Sequence, residues 1–466
     1  MNRDGDHIPF PEACSYPIRE GNRVSPLIDG EPAFRRICQA IDSARHSVWV
    51  TVAFLDPEFQ MPDGKGSLFD VLDHASARGL DVRALFWRCA PLHKASPKAH
   101  FFGDASQLGM LRTRGSSFFA RWDRAAKLYC QHQKSWLLDA GHPGEVAFVG
   151  GINLNPDSVV PPGHPLNPSG KSTHDVYVEI EGPSTSDVHH NFVQRWNEAS
   201  DRDQADGFWS ETSNGSDLPF PTTAAAPVGE VPAQIQRTVR AEQYADDTPA
   251  PGAERHPITA GEFSVRDQYL TAFAAARRSI YVEDQAFGAP ELVESLHDAL
   301  GRGVEVVVLL PVEPNEEMAA ARLHPRTATF WERLGALGDH EHFTLVGIAR
   351  NGEQPGNYQN AYVHAKIALI DDCWATIGSA NIANRSFYGD TELNASFWHR
   401  PTVSRLRRDL LFEHLGEDTS ELDDVQALKL YARIARENTE RRNRGEYLEG
   451  LAFALDPRSY AIKEVG

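Results

Sequence analysis

The chain alternates short apolar runs with amphipathic stretches, and it does so twice. Residues 47–54 (SVWVTVAF) form an apolar run with the length and β-branched content of a buried strand. Over residues 66–78, Leu68, Val71, Leu72 and Ala75 fall on one helical face, and Gly79 ends the helix so predicted. The run LDVRALFW (80–87) predicts the next strand. Short apolar strands follow at 135–139 and 146–149, then DVYVEI (175–180) and a helix over 187–196. Residues 201–228 break the pattern: they are rich in Asp, Ser, Thr, Pro and Ala and read as a linker or surface loop. Residues 244–256, with Pro249 and Pro251, read as a second unstructured stretch.

The same order then returns. A helix near 265–278 precedes the strand SIYVE (279–283), and a helix over 290–300 is closed by Gly301 and Gly303. Strands are predicted at 304–311 (VEVVVLLP), 343–348, 367–371, 375–378 and 393–398, before a helix over 403–415. One β/α series written twice predicts an α/β fold of two similar β-sheet lobes flanked by helices, the product of internal duplication. The lobes are expected at 1–200 and 229–466, joined through 201–228.

Charge and cysteine content narrow the partners. The formal net charge of −19 opposes binding to bulk nucleic acid and to strongly anionic membranes, while leaving room for a local basic pocket. Five cysteines without CxxC spacing argue for reduced thiols rather than a disulfide framework or zinc site. No apolar run approaches the ~18 residues of a membrane span, and the N-terminal MNRDGD lacks a Sec signal pattern. A cytoplasmic or membrane-peripheral monomer is the expectation. His189-His190 reads as an exposed helix face, and the His340-Glu341-His342 triplet as a solvated loop that resembles a metal patch only superficially. The aromatics Phe101, Phe102, Phe118, Phe119 and Trp122 suit either an interfacial loop or the core.

The chemistry lies in a second repetition. His132-x-Lys134-x4-Asp139 and His364-x-Lys366-x4-Asp371 share one spacing, and each stands 232 positions from its counterpart. Composition alone predicts about 0.03 such matches in the chain. Each motif is followed by a small-residue turn and an asparagine, Gly151 with Asn153 and Ser379 with Asn381. An acidic residue comes further on, Asp175 in one copy and Glu392 in the other. Strand alternation puts each His and Lys on one face.

These motifs, with YVHAKIALIDD, IGSANIANRSFYGDTELN, SIYVEDQAF and LRRDLLFEHLG, closely resemble the HKD phospholipase D superfamily from about Pro26 to Gly416. The resemblance implies one bilobal unit with a single active site between the motifs, no cofactor and no metal requirement for the chemistry. A phosphodiester has a poor alkoxide leaving group, and covalent catalysis divides its cleavage into two easier steps. By family analogy His132 is the nucleophile and His364 the acid/base, with the reverse assignment open. Lys134, Lys366, Asn153 and Asn381 then offer donors to the nonbridging oxygens. Asp175 and Glu392 hold the other ring nitrogen of each histidine, Gly151 and Ser379 line the substrate, and Asp139 and Asp371 are structural. The sequence departs from internal symmetry at Gly151/Ser379 and Asp175/Glu392, so two unequal half-sites are expected. The favoured reading is hydrolysis of phosphatidylcholine or phosphatidylethanolamine at a membrane surface to phosphatidic acid, with primary alcohols as alternative acceptors. The alternatives are a phosphatidyltransferase of the cardiolipin or phosphatidylserine synthase type, and a metal-independent nuclease.

Overall fold

The computed structural model describes residues 7–89, 100–200 and 216–462. In the first half the strands are β1 (Arg19–Ile28), β2 (Ser47–Val52), β3 (Asp81–Trp87), β4 (Phe119–Asp123), β5 (Ser135–Leu138), β6 (Val146–Gly150), β7 (Thr173–His174) and β8 (Val176–Glu181). The second half holds β9 (Val231–Val239), β10 (Glu262–Phe263), β11 (Ser279–Asp284), β12 (Glu305–Leu309), β13 (Phe343–Asn351), β14 (Tyr358–Asn360), β15 (Tyr362–Val363), β16 (Lys366–Ile370), β17 (Trp374–Gly378), β18 (Glu392–Phe397) and β19 (Ala452–Leu455).

Strand order shows the repeat directly. The first sheet runs β1-β8-β6-β5-β2-β3-β4, and the second runs β9-β18-β17-β16-β11-β12-β13. In each, one edge and the centre are antiparallel, and the last two pairings are parallel, as crossover helices require. The strand ends β1 and β9 pair with each other, and β6 and β8 pack on β17 and β18. A shared apolar core fills this junction, with Val149, Val178 and Ile180 from one sheet meeting Ile367, Ile377 and Ala395 from the other. Each sheet's other face is covered by its own helices. In the first, Phe34 and Ile37 of the helix Gly30–Ser43 and Leu68 and Leu72 of Leu68–Ala77 join the outer core with Trp122 and Trp136. Because both faces are covered, strands such as Ser47–Val52 are buried at every position, which is why they read as unbroken apolar runs.

Several expectations need correction. The helix containing His189 and His190 is buried along nearly its whole length, since a layer from the second half covers it. His190 bonds the Tyr16 hydroxyl at 3.2 Å and the Thr248 carbonyl at 2.8 Å. Residues 244–256 belong to that cover and are ordered: Tyr244 is buried and donates to Asp123 at 2.7 Å. Proline here shapes an extended cover instead of marking disorder. Phe101, Phe118 and Trp122 are core residues, while Phe102 is half-buried beside the main cavity. His342 is held by Glu305 at 3.0 Å and His340 lies 3.3 Å from His297, so both histidines are anchored and half-buried while Glu341 between them is exposed. Ile8 joins the second half's outer core and accepts a bond from Trp398, so the N-terminal segment docks across the lobe boundary. We propose that the lobes are divided within 201–228, of which 216–228 run as coil apart from one bend. Among the described residues no helix is long and apolar enough to cross a membrane.

Candidate active site

Each motif sits where a loop enters a central strand, β5 or β16. The loop before each strand is pinned by the opposite lobe. The His132 amide donates to Thr391 O at 2.9 Å, and the Thr391 amide donates to Cys130 O at 3.0 Å. In the counterpart, β15 pairs with β7, and the His364 amide donates to His174 O at 2.8 Å. Residues 391 and 174 stand immediately before Glu392 and Asp175. The acidic partners are therefore exchanged between lobes. His132 Nδ1 lies 3.0 Å from both oxygens of Glu392, and His364 Nδ1 lies 2.6 Å from Asp175 Oδ2. A carboxylate on Nδ1 leaves Nε2 of each ring as the nitrogen free for chemistry.

The asymmetry in sequence has a steric reason. A Cβ on Gly151 would stand 2.4 Å from Asp175 Oδ1, so the short aspartate needs glycine there. In the other half-site Ser379 Oγ instead donates to Glu392 Oε2 at 2.5 Å. Asn153 Nδ2 lies 3.3 Å from His364 Nε2, again across the lobes, and the Oδ1 atoms of Asn153 and Asn381 are buried without partners. Lys134 Nζ donates to His132 O at 2.8 Å, and Lys366 Nζ donates to His364 O and to Gln285 Oε1 at 3.3 Å. Gln285 and the buried Asp284 were missed by sequence reasoning, although both lie in the stretch SIYVEDQAF.

Burial dominates the electrostatics. Desolvation, then the Lys134 and Lys366 ammonium groups, hold His132 well below the usual imidazole range. Desolvation and Lys366 bring His364 down to about 3. Desolvation also lowers Lys134 to about 8 and raises Glu392 to about 7. The resting site thus keeps both imidazoles neutral with two lysines beside them, an arrangement that waits for an anion.

Asp139 and Asp371 lie apart from this chemistry. Both close the turn after their strand with positive φ, 54° and 55°. Each carboxylate caps a loop: Asp139 accepts from the amides of Arg45, His46 and Ser47, and Asp371 from those of Arg277, Arg278 and Ser279. Asp371→Ala is expected to cost about 3 kcal/mol in denaturant unfolding, because it orphans charge-assisted bonds, while turnover per folded molecule is retained. Equal loss of turnover in fully folded protein would place Asp371 in the reaction instead.

Both histidines open on one cavity of about 1790 Å³, lined in part by Phe54, Trp87, Phe102, Met318 and Tyr362 and by the polar Asn153, Asn381 and Lys171. Comparison with known proteins gives the family. A family model described as phospholipase D matches residues 167–299, and one described as cardiolipin synthase, PLD-like domain, matches residues 269–414. The chain belongs to the phospholipase D (HKD) superfamily and is an enzyme of that superfamily's phosphodiester chemistry. It is 25% identical over 402 residues to the major cardiolipin synthase ClsA of Bacillus subtilis, covering 84% of this chain and 70% of that protein. It is 25% identical over 437 residues to cardiolipin synthase A of Pseudomonas putida, covering 92% of this chain and 76% of that one. Among solved structures, phosphatidylserine synthase of Haemophilus influenzae superposes with a TM-score of 0.57 at 13% identity, covering 92% of this chain and 97% of that one. That likeness speaks for the fold. The cardiolipin synthases overturn the expectation of a hydrolase acting on phosphatidylcholine or phosphatidylethanolamine: chain-long relatives carry the name of a synthase.

Proposed function

We propose that this protein is a phosphatidyltransferase of the cardiolipin synthase type, passing a phosphatidyl group from one phospholipid to an alcohol on another through a phosphohistidine. The observation that carries the reading is the shared cavity. At about 1790 Å³ it exceeds the roughly 300–1,000 Å³ of a site for one small ligand, and both histidines reach it. Room for a donor and an acceptor headgroup is what transfer needs and hydrolysis does not.

The steps follow from the residues. His132 Nε2 attacks phosphorus, the P–O bond to the leaving alcohol breaks, and His364 supplies the proton that the alkoxide takes. The acceptor hydroxyl then returns a proton to His364 and attacks phosphorus, and the P–N bond to His132 breaks. The substrate sets the protonation it requires. Burial first and Lys366 second depress His364, and a phosphodiester anion placed beside the ring and the lysines favours the imidazolium against both, so the imidazole gains its proton when substrate arrives. The lysines and Asn153 and Asn381 steady the charge on the nonbridging oxygens. An acceptor held beside the intermediate gains effective concentration over water.

Vesicles of phosphatidylglycerol test the reading. Cardiolipin and free glycerol are the expected products, and 1-butanol at a few per cent is expected to divert the intermediate to phosphatidylbutanol. Phosphatidic acid alone, with neither transfer product, would refute the transferase. Cleavage of single-stranded DNA without lipid turnover would leave the fold and remove the substrate.

A further inference from the structure

Behind the reacting centre lies a second cluster that the chemistry above does not use. Asp29, at the turn from β1 into the helix Gly30–Ser43, meets His164, His174 of β7, and Glu413 of the helix Arg400–Leu415. All four side chains are buried, at 4% exposure or less. His174 Nδ1 is 2.9 Å from Asp29 Oδ1 and 3.4 Å from His164 Nε2. His164 Nε2 is 3.6 Å from Asp29 Oδ1 and 3.4 Å from Glu413 Oε1, and Glu413 Oε2 is 4.0 Å from His174 Nδ1. Donor atoms around a tetrahedral zinc, with bonds of ~2.0–2.2 Å, stand about 3.3–3.6 Å apart. The three separations from His164 fall at that edge length, while that from His174 to Asp29 is shorter and that to Glu413 longer.

Two independent observations point to a ligand. Asp29 Oδ2 and Glu413 Oε2 are buried with no N–H donor in reach, each carboxyl the other's polar neighbour, a costly state for carboxylate oxygens; Glu413 Oε1 accepts from the Gly163 amide at 2.8 Å. In addition, the far nitrogen of each imidazole is already engaged. His174 Nε2 lies 2.9 Å from Glu283 Oε2, and Glu283 in turn accepts from the Tyr281 hydroxyl at 2.7 Å. His164 Nδ1 lies 2.6 Å from Ser172 Oγ. Metal-binding histidines are oriented in this way, with one nitrogen on the ion and the other held by a carboxylate or hydroxyl.

We propose that Asp29, His164, His174 and Glu413 form a tetrahedral N2O2 site for one divalent transition metal, zinc by its ligand set, distinct from the reacting centre. Three ligands come from the first half and Glu413 from the second, so the ion joins the lobes. It also steadies the active site, because the His174 carbonyl accepts the His364 amide and the next residue, Asp175, holds the His364 ring. The ion takes no part in the reaction.

The test reads metal and stability, not lipid turnover, so it stands or falls apart from the transferase reading. Full-length protein is stripped with a chelator, dialysed and titrated with ZnCl2. One zinc per chain is expected, with a melting temperature raised on the order of 5 °C. His164→Ala and Glu413→Gln, each checked for folding by circular dichroism, are expected to weaken zinc binding by about 10²-fold or more. Cobalt in place of zinc is expected to show the visible bands of a tetrahedral ion in the wild type. Less than about a tenth of an equivalent of zinc in the wild type would overturn the proposal, as would unchanged affinity in either folded variant. If both variants unfold, an octahedral cobalt spectrum in the wild type overturns it and a tetrahedral one sustains it.

Discussion

Alanine at His132 is expected to abolish turnover of every substrate, by at least ~10⁴-fold, in a protein that still folds. His364→Ala is expected to fall as far on phospholipid but to recover much of its rate on a diester with a nitrophenol leaving group. The reason is the division of labour. A nucleophile cannot be replaced by a better leaving group, whereas a general acid is needed only while the departing alkoxide is strongly basic. Both rings occupy equivalent places, each facing the cavity and each held at Nδ1 by a carboxylate from the other lobe. Kinetics with the two leaving groups therefore discriminate what geometry does not. Rescue of His132→Ala in place of His364→Ala would reverse the roles, and retention of more than about a tenth of phospholipid turnover by either variant would refute a two-histidine mechanism.

Glu392→Gln and Asp175→Asn are expected to lower kcat by between ~10²- and ~10⁴-fold, the range seen when the carboxylate behind a catalytic histidine loses its charge. The substitutions are nearly isosteric, so a structural role alone predicts little change. Their distinctive readout is the pH profile. Burial raises Glu392 to about 7 and lowers Lys134 to about 8. In the free enzyme, kcat/KM should fall on the acid side as Glu392 gains a proton and ceases to accept from His132. It should fall on the alkaline side as Lys134 loses a proton and no longer attracts the phosphodiester. Glu392→Gln is expected to erase the acid limb and keep the alkaline one. A wild-type profile flat from pH 5 to 10 would show that neither group governs the reaction.

The repeat itself was legible in the sequence because its signals are local. Apolar runs such as 47–54 and 304–311 report strands buried on both faces, and the two motifs share spacing that chance does not supply. Asp175, Glu392, Asn153 and Asn381 could be named as candidates from their places after each motif. Sequence could not say which histidine each carboxylate serves. Glu392 lies 260 positions from His132, and only the pinning of residues 130–132 on Thr391 brings them together. The burial of His189 and His190 was hidden for the same reason: their helix is covered by a segment whose prolines look like disorder. The Asp29, His164, His174 and Glu413 cluster spreads over most of the chain and has no spacing to detect, while the compact His-Glu-His triplet at 340–342 lies elsewhere. Substrate choice was equally out of reach, since hydrolysis and transfer use the same His and Lys. In the proposed reaction what separates them is the room beside the phosphohistidine and its access to water, and both depend on how two lobes close around a cavity. Local periodicity fixes elements and catalytic residue types; the pairing of charges buried between the lobes is decided only by the fold.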